Sequence, residues 1–205
     1  MWAEKTPDRV GFAGVMAVVA GGLLMAPLWL VFATVHGPTS FNEDRAVLGG
    51  SMLFWRMLLG GIPNLLIATG LVVLSSRLAL VTGRLARVGY APLLIGLIVP
   101  ALIDLSIQAL GAPFFLPVAA TGLVLLAVGT RHNPRVGKPS RVMLVSIGAS
   151  LAIAFAWALL PGPLSDSIGG YRIYGVFAHL GAGIGWAQFG ASTLRARTPT
   201  RDLTS

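Results

Sequence analysis

The sequence predicts an all-α polytopic membrane protein, a bundle of six transmembrane helices with both termini on the cytoplasmic side. Three observations predict it. Only 11% of the 205 residues are charged while 55% are hydrophobic, six apolar stretches are long enough to cross a bilayer, and Lys and Arg gather at alternate connections. A soluble domain carries about 25% charged residues, because its surface must be wetted. Less than half that level excludes a soluble globular enzyme. The absence of Cys excludes a disulfide framework, a zinc-thiolate site and a cysteine nucleophile. The net charge of +8 does not point to nucleic acid, because the basic residues are scattered between apolar blocks rather than gathered on one face.

A hydrocarbon core about 30 Å thick is crossed by about 20 helical residues. Six stretches qualify, at residues 11–35, 51–74, 89–110, 113–130, 141–160 and 171–194. Strands of a membrane barrel would alternate apolar and polar residues, and none of these does; helices remain as the way to satisfy backbone polar groups in lipid. The first stretch follows Lys5 and Arg9 as a signal peptide would. Its 25 residues exceed the about 7–15 of such a core, so it reads as a membrane helix. No long linker interrupts the chain, so residues 1–195 form one transmembrane domain and 196–205 a polar cytoplasmic tail.

Orientation follows the basic residues near the span ends. Lys5 and Arg9 precede the first span, Arg77, Arg84 and Arg87 follow the second, and Arg131, Arg135, Lys138 and Arg141 follow the fourth. Arg195, Arg197 and Arg201 follow the sixth. The other connections hold only Arg45, beside Glu43 and Asp44, and then Asp166 and Arg172. The expected location is therefore the plasma membrane, multi-pass, with both termini inside. The longest outer connection, 36–50, carries His36-Gly-Pro-Thr-Ser and Asn-Glu-Asp, turn chemistry suited to a small lid. Arg9-Val-Gly-Phe-Ala and Arg87-Val-Gly-Tyr-Ala echo each other, which reads as a shared helix-start preference rather than a repeat.

Small residues at every fourth position suggest close helix approach: Ala13, Ala17 and Gly21; Gly148, Ala152 and Ala156; Gly181 and Gly185. Pro27, Pro63 and Pro100 fall inside spans and free the carbonyls of Leu23, Leu59 and Gly96, as in a bundle that opens in its middle.

Ionisable residues inside a span cost about 2.5–3.5 kcal/mol each and ask for a reason. Here they are Arg56, Asp104 and His179, with Asn64, Gln108 and Gln188 as neutral companions. At the helical rise, the first three all lie roughly 8–12 Å below the outer surface. Asp104 and Gln108 stack on one face with Pro100 and Ala101 below, Arg56, Gly60 and Asn64 share a stripe, and Gly175 and Gly183 leave space beside His179. This pattern predicts a polar ligand-binding pocket in the extracytoplasmic half, formed by Arg56, Asn64, Asp104, Gln108 and His179. Trp55, Trp157 and Tyr171 would wall it. The purely structural alternative is an interhelical Arg56–Asp104 salt bridge, or an Arg56 that snorkels to the interface, with His179 bonded to a neighbouring carbonyl.

No Glu lies in a span and Asp104 is the one membrane Asp, so a di-metal carboxylate site is not expected. A retinal Schiff base is excluded because no Lys lies mid-span, a bis-His haem lacks a partner for His179 at matched depth, and no phosphate loop, nucleophile elbow or zinc-protease signature occurs. No cofactor is expected. Three functions remain. One is binding or transport of a small or amphiphilic ligand, with six helices leaving little room for two alternating halves, so that a homo-oligomer or membrane partner protein accompanies it. The second is an intramembrane enzyme, an isomerase or cyclase-like protein on a lipophilic substrate, with Asp104 as acid and His179 as catalytic partner. The third is an accessory subunit of a larger membrane complex.

Overall fold

A computed structural model of the chain describes residues 9–35, 48–106, 112–160 and 168–195. The described residues are all-helical, in six rods. Helix α1 is Arg9–Val35 and α3 is Arg84–Ser106; α4 is Ala112–Gly129 and α5 is Lys138–Ala158. Two rods are compound. Helix α2 (52–77) joins Met52–Arg56 to Ile62–Arg77 through a π-helical stretch, Met57–Gly61, and α6 (168–195) joins Ile168–Gly175 to Ala182–Arg195 through a second one, Val176–Gly181. The stretches Arg9–Ala33, Leu53–Arg77, Arg84–Ser106 and Lys138–Ala158 are long and apolar enough to cross a membrane, and α4 offers a shorter one, Phe114–Gly129.

Local chemistry sets several ends. Ser51 caps α2, its hydroxyl accepting from the Phe54 N–H at 3.2 Å. Pro139 stands in the first turn of α5, where its missing N–H has no intrahelical partner to lose. Helix α3 starts at Arg84, five residues before the apolar stretch does. Exposed Arg84 and Arg87 ride on its first turn, so the charges mark the end of the apolar segment and not of the helix.

The helices form a closed ring in chain order, each touching the next and α6 returning to α1. Neighbours are antiparallel, so one end of the ring collects Arg9, the Arg77–Arg84 turn, the Arg131–Lys138 turn and the C-terminal end of α6. Backbones meet closely along the seams. A Cβ on Gly22 would strike the Gly183 carbonyl and the Ala187 N–H, and one on Gly89 would strike the Gly122 carbonyl. Gly181 and Gly185 do serve α5, lying against Ser150 and Ile147. The other expected stripes are only partly used: Gly21 and Gly148 are buried at seams, but Ala13, Ala152 and Ala156 are exposed. The actual α1 seams use Gly14 and Gly21 toward α2, and Gly22 toward α6.

Inside the ring, the basic half is filled by fully buried apolar side chains such as Val18, Leu71, Leu74, Leu93, Leu126 and Leu144. The two turns at that end fold inward, burying Leu78, Leu80 and Val136 in the same cluster. Helix α2 ends in a Schellman turn, the Leu80 N–H bonding the Ser75 carbonyl at 3.0 Å with Ala79 left-handed at φ 49°. The amide of Asn133 then donates to the Leu78 carbonyl (2.8 Å) and the Ala79 carbonyl (2.9 Å), clasping one turn to the other. Asn133→Ala leaves two carbonyls without that donor. It is expected to lower stability by about 1–2 kcal/mol, read as a fall in unfolding midpoint; an unchanged midpoint would show the clasp to be idle. The outer surface of the ring is apolar on every helix, with Phe12, Phe54, Ile95, Phe114, Ile153 and Ile184 all exposed.

Candidate functional site

Beyond the apolar plug, the ring encloses a cavity whose wall takes residues from all six helices. Asn64 comes from α2, Asp104 and Pro100 from α3, and His179 and Trp186 from α6. About 60 Å³ is open to a water-sized molecule, room for about four waters. Asn64, Asp104 and His179 thus share one enclosed space, and α3 and α6 face each other across the ring.

Asp104 is 7% exposed, and its carboxylate lies directly against Gly60: a Cβ there would collide with Oδ2. This close approach makes Gly60 part of the site, and it is also on the cavity wall. Arg56 is half-buried and interacts electrostatically with Asp104, but it is not on the wall. The π stretch explains the departure from the expected Arg56–Gly60–Asn64 stripe. A π turn closes on the fifth residue instead of the fourth, as the Ile62 N–H does on the Met57 carbonyl, so the α-helical stacking of Arg56 above Gly60 is lost.

His179 sits within the π stretch of α6. Trp29 of α1 stacks on its ring at a centroid distance of 5.0 Å and an interplanar angle of 29°, and Tyr174 meets it edge-on at 6.2 Å. The ring is bonded to the backbone carbonyl of Leu59, which Pro63, lacking an N–H, cannot serve in the α-helical pattern. The two π stretches are therefore joined through one side chain. His179 Nδ1 is buried and has no well-aligned hydrogen-bond partner. The space expected beside His179 is occupied: the Trp29 indole fills the gap left by Gly175, and Gly183 is taken up by the α1 backbone at Gly22 and Ala26.

Sequence reasoning missed the wall residues Tyr174 and Trp186, and above all Trp29. Trp29 extends into an aromatic cluster with Phe32 (5.8 Å) and through it to Trp55 (5.3 Å), so Trp55 backs His179 through Trp29 instead of roofing the cavity. Trp157 packs with Tyr174 in a second small cluster. Of the three prolines, Pro100 lines the cavity and Pro63 is buried, whereas Pro27 is exposed on the outside of α1. Gln108 and His36 lie outside the described residues, as does the Tyr171 side chain. Among the described residues no three His, Asp or Glu side chains gather as a metal site.

Fold and site together define a class: an all-helical ring around a small, largely apolar cavity that carries three polar side chains, Asn64, Asp104 and His179. No protein-family model, curated protein or solved structure matches the chain.

Proposed function

We propose that the chain is an integral membrane protein of the plasma membrane, spanning it six times with both termini inside, whose central cavity binds or transports a small polar ligand. The observation that carries this reading is the shared cavity. Three of the costly polar side chains in the apolar helices, Asn64, Asp104 and His179, line one space. The apolar outer surface on all six helices supports insertion, and the basic end supports the orientation by the positive-inside rule. Helix α4 and the interrupted α6 are then spans as well, shielded by their neighbours on both sides.

Size narrows the ligand. Sites for drug-sized molecules run to about 300–1,000 Å³, far above the space here, so an amphiphile or an isoprenoid chain does not fit within this cavity. A small solute does. The same cavity favours binding over a purely scaffolding role, since a closed ion pair would have sufficed to lock the helices.

The cysteine-free sequence makes the test clean. In sealed vesicles of known orientation, Asn64→Cys is expected to react with silver ion added on the side opposite the termini, and to become protected from later maleimide labelling. Leu71→Cys, in the plug, is expected to stay unreactive. Ser205→Cys reports the side of the C terminus with an impermeant maleimide. An Asn64→Cys thiol unreactive from both sides would remove the cavity reading, and Ser205→Cys labelled from outside would reverse the orientation.

A further inference from the structure

The polar side chains on the cavity wall include three acceptors, alongside donors on the Asn64 amide, the Tyr174 hydroxyl and the Trp186 indole. The Asp104 carboxylate is an acceptor when ionised, and Asn64 adds an amide oxygen. His179 follows from its neighbour. The Leu59 carbonyl can only accept, so the ring nitrogen turned to it carries the hydrogen, and the second nitrogen of the neutral ring keeps a lone pair. His179 is on the cavity wall, and its Nδ1 is buried without a hydrogen-bond partner. Among the described residues the lining holds one carboxylate and no Lys or Arg; Arg56, which interacts electrostatically with Asp104, is off the wall. The rest of the wall includes the aromatic side chains Trp186 and Tyr174, whose ring faces tolerate cations.

We propose that the cavity is a binding site for a small cation bearing N–H donors, an ammonium ion or an amine of methylammonium size. Such a cation fits the space of about 60 Å³, offers its hydrogens to Asp104, Asn64 and the imidazole lone pair, and lays its remaining surface on apolar and aromatic walls. Sodium has no hydrogens to donate, and tetramethylammonium has neither N–H donors nor the right size. Among the described residues, the titratable groups on the wall are Asp104 of α3 and His179 and Tyr174 of α6, with Arg56 of α2 interacting electrostatically with Asp104. This inference rests on the cavity reading above and names its ligand class.

The test uses the purified full-length protein in lipid nanodiscs at neutral pH and constant ionic strength. Tryptophan fluorescence and thermal unfolding are followed while sodium is replaced by ammonium, methylammonium or tetramethylammonium. The expected result is a saturable fluorescence change and a raised unfolding midpoint with the first two only. Asp104→Asn is expected to raise the apparent Kd at least tenfold. Leu151→Phe, which leaves every polar group in place and fills the cavity from α5, is expected to abolish the response; it also decides the matter if Asp104→Asn does not fold. No saturable response to either amine, an equal response to tetramethylammonium, or an undiminished response in Leu151→Phe would overturn the proposal. If silver reaches Asn64→Cys while the amines give nothing, the ligand class fails and the cavity reading stands; if both fail, both fall.

Discussion

Gly22→Leu is expected to destabilise the bundle by at least about 2 kcal/mol, because forced overpacking of a tight contact costs about 1–3 kcal/mol even where side chains can yield. Here nothing yields. The atoms that a Cβ at Gly22 would meet are the Gly183 carbonyl and the Ala187 N–H, both held in a helix, so α1 and α6 must separate along their seam. In hydrocarbon, helices gain little from hiding apolar surface and rely on dispersion between closely fitted backbones. Separation by about an ångström forfeits roughly a quarter to a half of that attraction along the seam. The matched control is Ala13→Leu, an exposed position on the same helix, expected to change stability by less than about 0.5 kcal/mol. Equal unfolding free energies for the two variants, measured by denaturation in mixed micelles, would show that α1 and α6 do not meet as described.

The second large effect is expected from Trp29→Ala, at about 3 kcal/mol. Trp29 is 1% exposed, fills the gap at Gly175, stacks on His179 and leads the aromatic cluster to Phe32. Its removal leaves a hole that the ring cannot close without moving the π stretch of α6. Trp29→Phe keeps a ring against the imidazole and is expected to cost about half as much. If Trp29→Ala unfolds within about 1 kcal/mol of the parent, His179 is held by its Leu59 bond alone and the indole is only filler.

The class of fold was legible in composition and hydropathy, and the number of rods in the spacing of apolar stretches. The meeting of Asp104 and His179 was legible as well, since each costs free energy in lipid and the two were placed with Arg56 at one depth; Asn64 entered as a deeper companion of Arg56, and Arg56 is the one that is not on the wall. An orphaned Leu59 carbonyl was also legible, because Pro63 removes its α-helical donor. What stayed hidden was rotation about the helix axes. Periodicity assumes α geometry, and two π stretches break it at the level of the site, carrying Arg56 off the wall. Trp29 escaped notice because an indole in an apolar helix looks the same whether it faces lipid or a histidine. Ala13 and Ala152 misled for the converse reason: small residues recur in such helices on outward faces too, and only the facing backbone tells them apart.

The inward-folded turns at the basic end have a bearing on traffic. With Leu78, Leu80 and Val136 buried beneath the cavity and Asn133 latching the two turns, the chamber is a cul-de-sac on that side. On the proposed reading a guest would leave by the way it entered, and the protein in this state would serve as a receptacle. Through-passage would require the Asn133 latch to release and the floor to drop, so the turnover of any such carrier would be governed at the turns of the basic end, far from Asn64, Asp104 and His179.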